Sequence, residues 1–256
     1  MIRWLALLGL LLAGTASAAQ PRLAIIIDDM GYSRLRGEAI AALPGPVTCA
    51  IIPQTPWGPH LAERAAAANK EVMIHLPMET GNRPLDEGGI NSGMNRGELI
   101  RTVREAFIRI PQARGVNNHM GSILTADEHA MRWLMQELSM NHYYFIDSRT
   151  TPDTVAEKVA VQLGLRTAGR DIFLDNERDL EAINEQFNKA LAVARQKGSA
   201  IAIGHPYPET VAYLQYVLPL MKQAGIELVP VSALLQEPAL TTAGKAGDAT
   251  AAKPDA

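Results

Sequence analysis

Short apolar, β-branched runs recur along this chain with segments of helical period between them, and few folds satisfy that alternation. The runs are "RLAIII", "VTCAII", "EVMIHL", "ARGVNN", "HYYFID", a weaker "LRTAGRDIFL", "SAIAIG" and "IELVPV". A strand covered on both faces reads as a continuous apolar run, so these are expected to pair in parallel within an α/β fold. About seven or eight strand–helix steps in one domain favour a closed or nearly closed (β/α) barrel over an open sheet.

The helices between the runs have their own signals. In "RGELIRTVREAFIRIP", Leu99, Ile100, Val103, Phe107 and Ile110 share a face and Pro111 marks the end. "TADEHAMRWLMQELSMN" opens on a capping-box pattern, Thr125 with Glu128. "NERDLEAINEQFNKALAVARQKG" offers Asn176 as cap and Gly198 as stop, and Pro219 should divide "PETVAYLQYVLPLMKQAG".

The first residues, "MIRWLALLGLLLAGTASAAQ", place Arg3 before an apolar run to Leu12 and then Ala16-Ser17-Ala18. That is the pattern of an export signal over residues 1–19, too short in its apolar part for a comfortable membrane span. One domain is expected over residues 20–237, followed by an Ala/Thr/Gly/Pro-rich tail, 238–256, expected to be disordered. The single cysteine, Cys49, allows no disulfide within the chain and reads as a buried hydrophobe. A periplasmic location suits such a protein. The formal charge of −3, with Lys and Arg scattered, shows no nucleic-acid footprint.

The carboxyl ends of the strand runs carry the more specific signal. "LAIII" runs into Asp28 and Asp29, "EVMI" into His75, "GVNN" into His119, "YYFI" into Asp147 and "AIAIG" into His205. Each has an ordinary structural explanation: a helix cap for the aspartate pair, a satisfied core histidine for His75, a turn for His119, an Asx turn or an Arg149 pair for Asp147. Together, at the carboxyl ends of parallel strands, they form a set suited to holding a metal and moving protons. His60, His129 and His142 have no such placement. Asp171 and Asp175 in "RDIFLDN" are either site residues or, for Asp175, a helix cap.

The motifs "IIIDDMG", "MIHLPME", "GVNNHMGS", "FIDSRT" and "AIAIGHP", in that order and spacing, resemble the polysaccharide deacetylases of the NodB-type fold, and within them the divergent, YibQ-like branch. The resemblance spans nearly the whole domain. It implies a distorted (β/α) barrel, mostly parallel, with a divalent metal, foremost zinc, at the strand ends. It also implies that Asp28 is the catalytic base and Asp29 a metal ligand, which gives the adjacent carboxylates a reason: a cation offsets their repulsion.

The family's His-x-x-x-His pattern is met by His75 but has Glu79 at its second position. His119 is therefore expected to complete the ligand set with Asp29 and His75, and Glu79 is a reserve ligand. His205 matches the late strand-end histidine that protonates a leaving amine, and Asp147 is expected to orient it or to line the sugar site. The implied activity is metal-dependent removal of N-acetyl groups from a cell-envelope polysaccharide or oligosaccharide. The alternatives are a catalytically weak protein of this fold that binds glycan or a protein partner, and a glycosidase using Asp28 and Asp147. Tyr32, Trp57 and Tyr207 are candidates for stacking on sugar.

Overall fold

The computed structural model describes residues 20–81 and 83–236. The expected export signal and tail lie outside the described residues. The strands are β1 (Arg22–Met30), β2 (Val47–Ile51), β3 (Glu71–Met78), β4 (Gly115–Met120), β5 (Tyr144–Asp147), β6 (Thr167–Gly169), β7 (Ile172–Phe173), β8 (Ser199–Gly204) and β9 (Glu227–Leu228). Among the described residues they form one sheet in the order β6-β5-β4-β3-β2-β1-β8-β7, with every pairing parallel.

The weak run "LRTAGRDIFL" closes this sheet. It divides into β6 and β7, which lie at opposite ends of the strand order although only Arg170 and Asp171 separate them. The Arg170 amide donates to Asp147 O on β5 at 2.9 Å, and the Asp171 amide donates to Ile201 O on β8, also at 2.9 Å. Neighbouring residues thus bond to the strands beside the two edges, and the sheet curls into the expected distorted (β/α) barrel. The last expected strand shrinks to β9, which pairs with Arg22 and Leu23 below the point where β2 joins β1.

Strand alternation divides the apolar residues into two cores. Leu23, Ile25, Ile27, Ile74, Val116, Phe145 and Ala202 join the helices in the outer core. Ala24, Ile26, Met73, Tyr144, Ile146, Ile201 and Ile203 form a smaller cluster within the barrel, with Phe173 packed against it. Cys49 is buried in the outer core, and burial pushes its thiol up to about 12.

The helices are α1 (Arg34–Ala41), α2 (Gly58–Ala67), α3 (Arg96–Arg109), α4 (Glu128–Met140), α5 (Ala156–Gln162), α6 (Leu180–Lys197) and α7 (Pro208–Val217). Two expected caps move. Asp127, not Thr125, caps α4 by accepting from His129 N and Ala130 N, while Thr125 sits in a preceding 3-10 turn. Asp179, not Asn176, caps α6, which ends as expected at Gly198 with φ 86°. α7 stops before Pro219, which lies in a 3-10 turn.

Candidate active site

The side-chain phase that fills the barrel continues into the chemistry. Ala24 and Ile26 lead to Asp28, Met73 to His75, Ile201 and Ile203 to His205, and Phe173 to Asp175. Asn117 and His119 share a phase on β4, opposite to the outer-core Val116. Asp29 has the wrong phase for this face, but its backbone turns over at φ 54°, and Gly31 follows at φ 135°. A Cβ at Gly31 would lie 1.8 Å from Thr55 Oγ1, so the turn needs glycine there. The strained conformation of Asp29 returns its carboxylate to the site.

Asp29, His75 and His119 converge. Asp29 Oδ1 lies 2.9 Å from His119 Nδ1 and 3.2 Å from His75 Nε2, and the two nitrogens are 3.1 Å apart. One ligand atom from each of the three residues lies within 4.8 Å of the others. Asp29 Oδ1 is buried and has no well-directed hydrogen-bond partner. An orphaned anionic oxygen facing two imidazole nitrogens fits a divalent cation, which would take all three as ligands. Burial pushes the Asp29 carboxyl up, but the adjacent His119 and His75 outweigh it and hold it far below the usual carboxylate range.

A second layer fixes His75. The Asn117 side-chain carbonyl lies 2.9 Å from His75 Nδ1, and its amide donates to Asp28 Oδ1 at 2.7 Å and Ser148 Oγ at 3.2 Å. With the Asn117 amide on Asp28, its oxygen faces His75 Nδ1, so a proton on Nδ1 would leave the Nε2 lone pair for a cation between His75, Asp29 and His119. Asp28 itself is buried, and its Oδ2 is 3.7 Å from His75 Nε2. Burial raises its carboxyl pKa, opposed by His75, His205 and the Asn117 amide.

His205 is held by Asp175. Asp175 Oδ1 lies 2.7 Å from His205 Nδ1, while its Oδ2 accepts from the His205 backbone N–H at 2.6 Å and from Thr210 Oγ1 at 2.7 Å. Burial alone would favour neutral imidazole, but the Asp175 carboxylate outweighs it and raises His205 to about 9. The histidine is therefore an acid at neutral pH. Phe173 and Tyr207 flank its ring, at centroid distances of 6.2 and 5.4 Å.

Two expected site residues stand elsewhere. Asp147 follows Phe145 on the outer phase and spends its oxygens on Arg149 N, Thr154 Oγ1 and Glu157 N, at 2.8, 2.9 and 3.3 Å. It organises the turn into α5, and the contact with His205 expected of it belongs to Asp175. Glu79 lies outside the three-residue group. Its Oε2 accepts from Ser92 N and Ser92 Oγ at 2.7 and 2.6 Å. Asn117 and Phe173 were legible from strand phase; Asp86, 3.2 Å from His119 on a loop, carries no comparable sequence signal.

The sequence pattern of divergent polysaccharide deacetylases matches residues 25–235. The chain belongs to the divergent polysaccharide deacetylase family. One relative is the uncharacterized protein YibQ of Escherichia coli strain K12, 39% identical over 236 residues, covering 91% of this chain and 73% of YibQ. The solved structure of uncharacterized protein ATU2773 from Agrobacterium tumefaciens C58 superposes with a TM-score of 0.81 at 22% identity, covering 86% of this chain and 91% of that one. A family 4 carbohydrate esterase from Streptomyces lividans, solved in complex with acetate, shares the fold at a TM-score of 0.50 and 13% identity, covering 82% of this chain and 93% of the esterase. The chain thus has the NodB-type barrel of its family, and in this structure His119 lies beside His75 while Glu79 is turned to Ser92.

Proposed function

We propose that this deacetylase-family protein is a metal-dependent carbohydrate N-deacetylase acting on N-acetylated glycan of the cell envelope, with zinc as its ion. The observation that carries the reading is the convergence of Asp29, His75 and His119 beside a buried carboxylate, Asp28, and the His205–Asp175 pair. A divalent ion held by these three residues supplies a Lewis acid and makes a nearby water acidic enough to lose its proton near neutral pH.

The remaining steps belong to the chain. Ionised Asp28, oriented by Asn117, accepts the proton of the water that attacks the acetyl carbonyl; its raised pKa makes it a better base than an exposed aspartate. His205 enters protonated and gives its proton to the amine nitrogen as the C–N bond breaks, because an amine is a poor leaving group otherwise. Asp175 stabilises the imidazolium before transfer. The exposed Tyr32 and Trp57 offer rings for a sugar, whereas the rings of Phe173 and Tyr207 are covered by Arg170 and Arg178. The export pattern of residues 1–19 supports a periplasmic site of action.

Asp147, occupied by three local donors, is poorly suited to the second carboxylate of a glycosidase. The test is acetate release from N-acetylated envelope glycan fragments by the zinc-loaded protein. Release that stops with chelator and in Asp28→Asn supports the reading. Zinc binding without acetate release from any such fragment would overturn it in favour of a glycan-binding protein.

A further inference from the structure

The structure points to Tyr32 and Asp86 as positioning residues for His119, and to Glu79 as the staple of the segment that delivers Asp86; we propose this as the function of the glutamate standing in the family's second histidine position. The inference rests on the reading of Asp29, His75 and His119 as metal ligands.

A ligating imidazole must present a lone pair on one nitrogen, and the hydrogen bond made by the other decides which nitrogen that is. His119 turns Nδ1 toward Asp29 and His75, and its Nε2 lies 3.2 Å from Asp86 Oδ2. With a cation in place of a proton between Nδ1 and Asp29, the His119 proton sits on Nε2, and Asp86 is the carboxylate within reach of that N–H. The arrangement mirrors the one that Asn117 imposes on His75, with the two nitrogens exchanged.

Asp86 is itself fixed. Tyr32 Oη donates to the same Oδ2 at 3.0 Å. Partial burial and the neighbouring carboxylate push the Tyr32 phenol up to about 12, so it remains a donor. Tyr32 leaves the turn that carries Asp29, so the Tyr32–Asp86–His119 chain links two of the three ligand-bearing segments.

The base of the Asp86 segment is anchored by Glu79. Its carboxylate takes both the backbone N–H and the hydroxyl of Ser92, while Glu79 N donates to Ile90 O at 3.0 Å and Ile90 N to Pro77 O at 2.9 Å. Met78 and Ile90 form a parallel bridge beside these bonds. The chain that follows Asp86 is thereby pinned to the end of β3 at Ile90 and Ser92, with Asp86 beside His119. A carboxylate oxygen has two lone pairs and takes both Ser92 donors on Oε2, whereas a neutral histidine at position 79 would offer one nitrogen with a single lone pair.

The experiment has two readouts. Nitrogen-15 histidine NMR on zinc-loaded protein reports which His119 nitrogen carries the proton, and competition with a chromophoric chelator reports zinc affinity, for the parent, Asp86→Ala, Glu79→Ala, the double variant and Glu87→Gln as a neighbouring-carboxylate control. The inference expects an Nε2–H tautomer in the parent, a mixture in Asp86→Ala, and zinc affinity about 10–100-fold weaker in that variant. Glu87→Gln should match the parent, and Glu79→Ala should weaken zinc binding in the parent but not further in Asp86→Ala, because both act through one contact. Unchanged tautomer and affinity in Asp86→Ala, or an additive loss from Glu79→Ala, would overturn the inference while leaving the deacetylase reading in place. A parent that binds no zinc would overturn both.

Discussion

At the residue scale, two carboxylates with different partners do different work. Asp28 shares a buried network with Asn117, and Asp175 is committed to His205. Asp28→Asn should reduce deacetylation by about 10²–10⁴-fold while zinc affinity stays near the parent value, read by acetate release and chelator competition. The pH profile separates Asp175 from a merely structural aspartate. In the proposed mechanism His205 acts in its protonated form, so activity should decline as pH rises through about 9, the value to which Asp175 raises it. In Asp175→Asn that alkaline decline should move toward the ordinary histidine range; an unmoved limb would mean that another group sets it. The same shift contributes folding stability that is fully present below the unfolded-state histidine pKa and lost as pH rises through about 9. Much of this residue-level picture is legible in the sequence through strand phase. Counting by twos from Ile26, Met73 and Ile203 reaches Asp28, His75 and His205, and from Phe173 reaches Asp175, whereas from Phe145 it reaches the outward Asp147. Proximity to a strand end alone selects Asp147 as readily as Asp175. Asp29 escapes the count because its left-handed backbone breaks it.

At the scale of elements, apolar periodicity locates the helices, but their first residues depend on competition among neighbouring polar side chains. Asn176 and Asp179 both precede α6, and Thr125 and Asp127 both precede α4. In each case the aspartate that directly precedes the first turn accepts two of its free amides. Asp179→Ala should therefore cost about 1 kcal/mol of stability in denaturant unfolding, and Asn176→Ala only a few tenths. Equal costs would contradict the placement of the cap. The site loop is less legible than any helix, because the Glu79–Ser92 and Asp86–His119 contacts join residues with no shared period.

At the scale of the whole molecule, the barrel is what brings distant strand ends to one face, and its closure rests on a two-residue handover at Arg170 and Asp171. Both amides should exchange slowly with solvent deuterium, alongside those of β5 and β8; rapid exchange at either would mean that the sheet stands open there. The alternation of runs and helices made parallel pairing and near-closure readable, but the division of one weak run between two sheet edges depends on pairing partners far away in sequence. The central claim is that this barrel gathers Asp29, His75 and His119, rather than Glu79, into a metal site. Elemental analysis of the purified, untagged protein after zinc loading and desalting, with His119→Ala and Glu79→Ala in parallel, tests it directly. Stoichiometric zinc in the parent, kept in Glu79→Ala and lost in His119→Ala, is the predicted result; no zinc in the parent, or loss in Glu79→Ala with retention in His119→Ala, would contradict it.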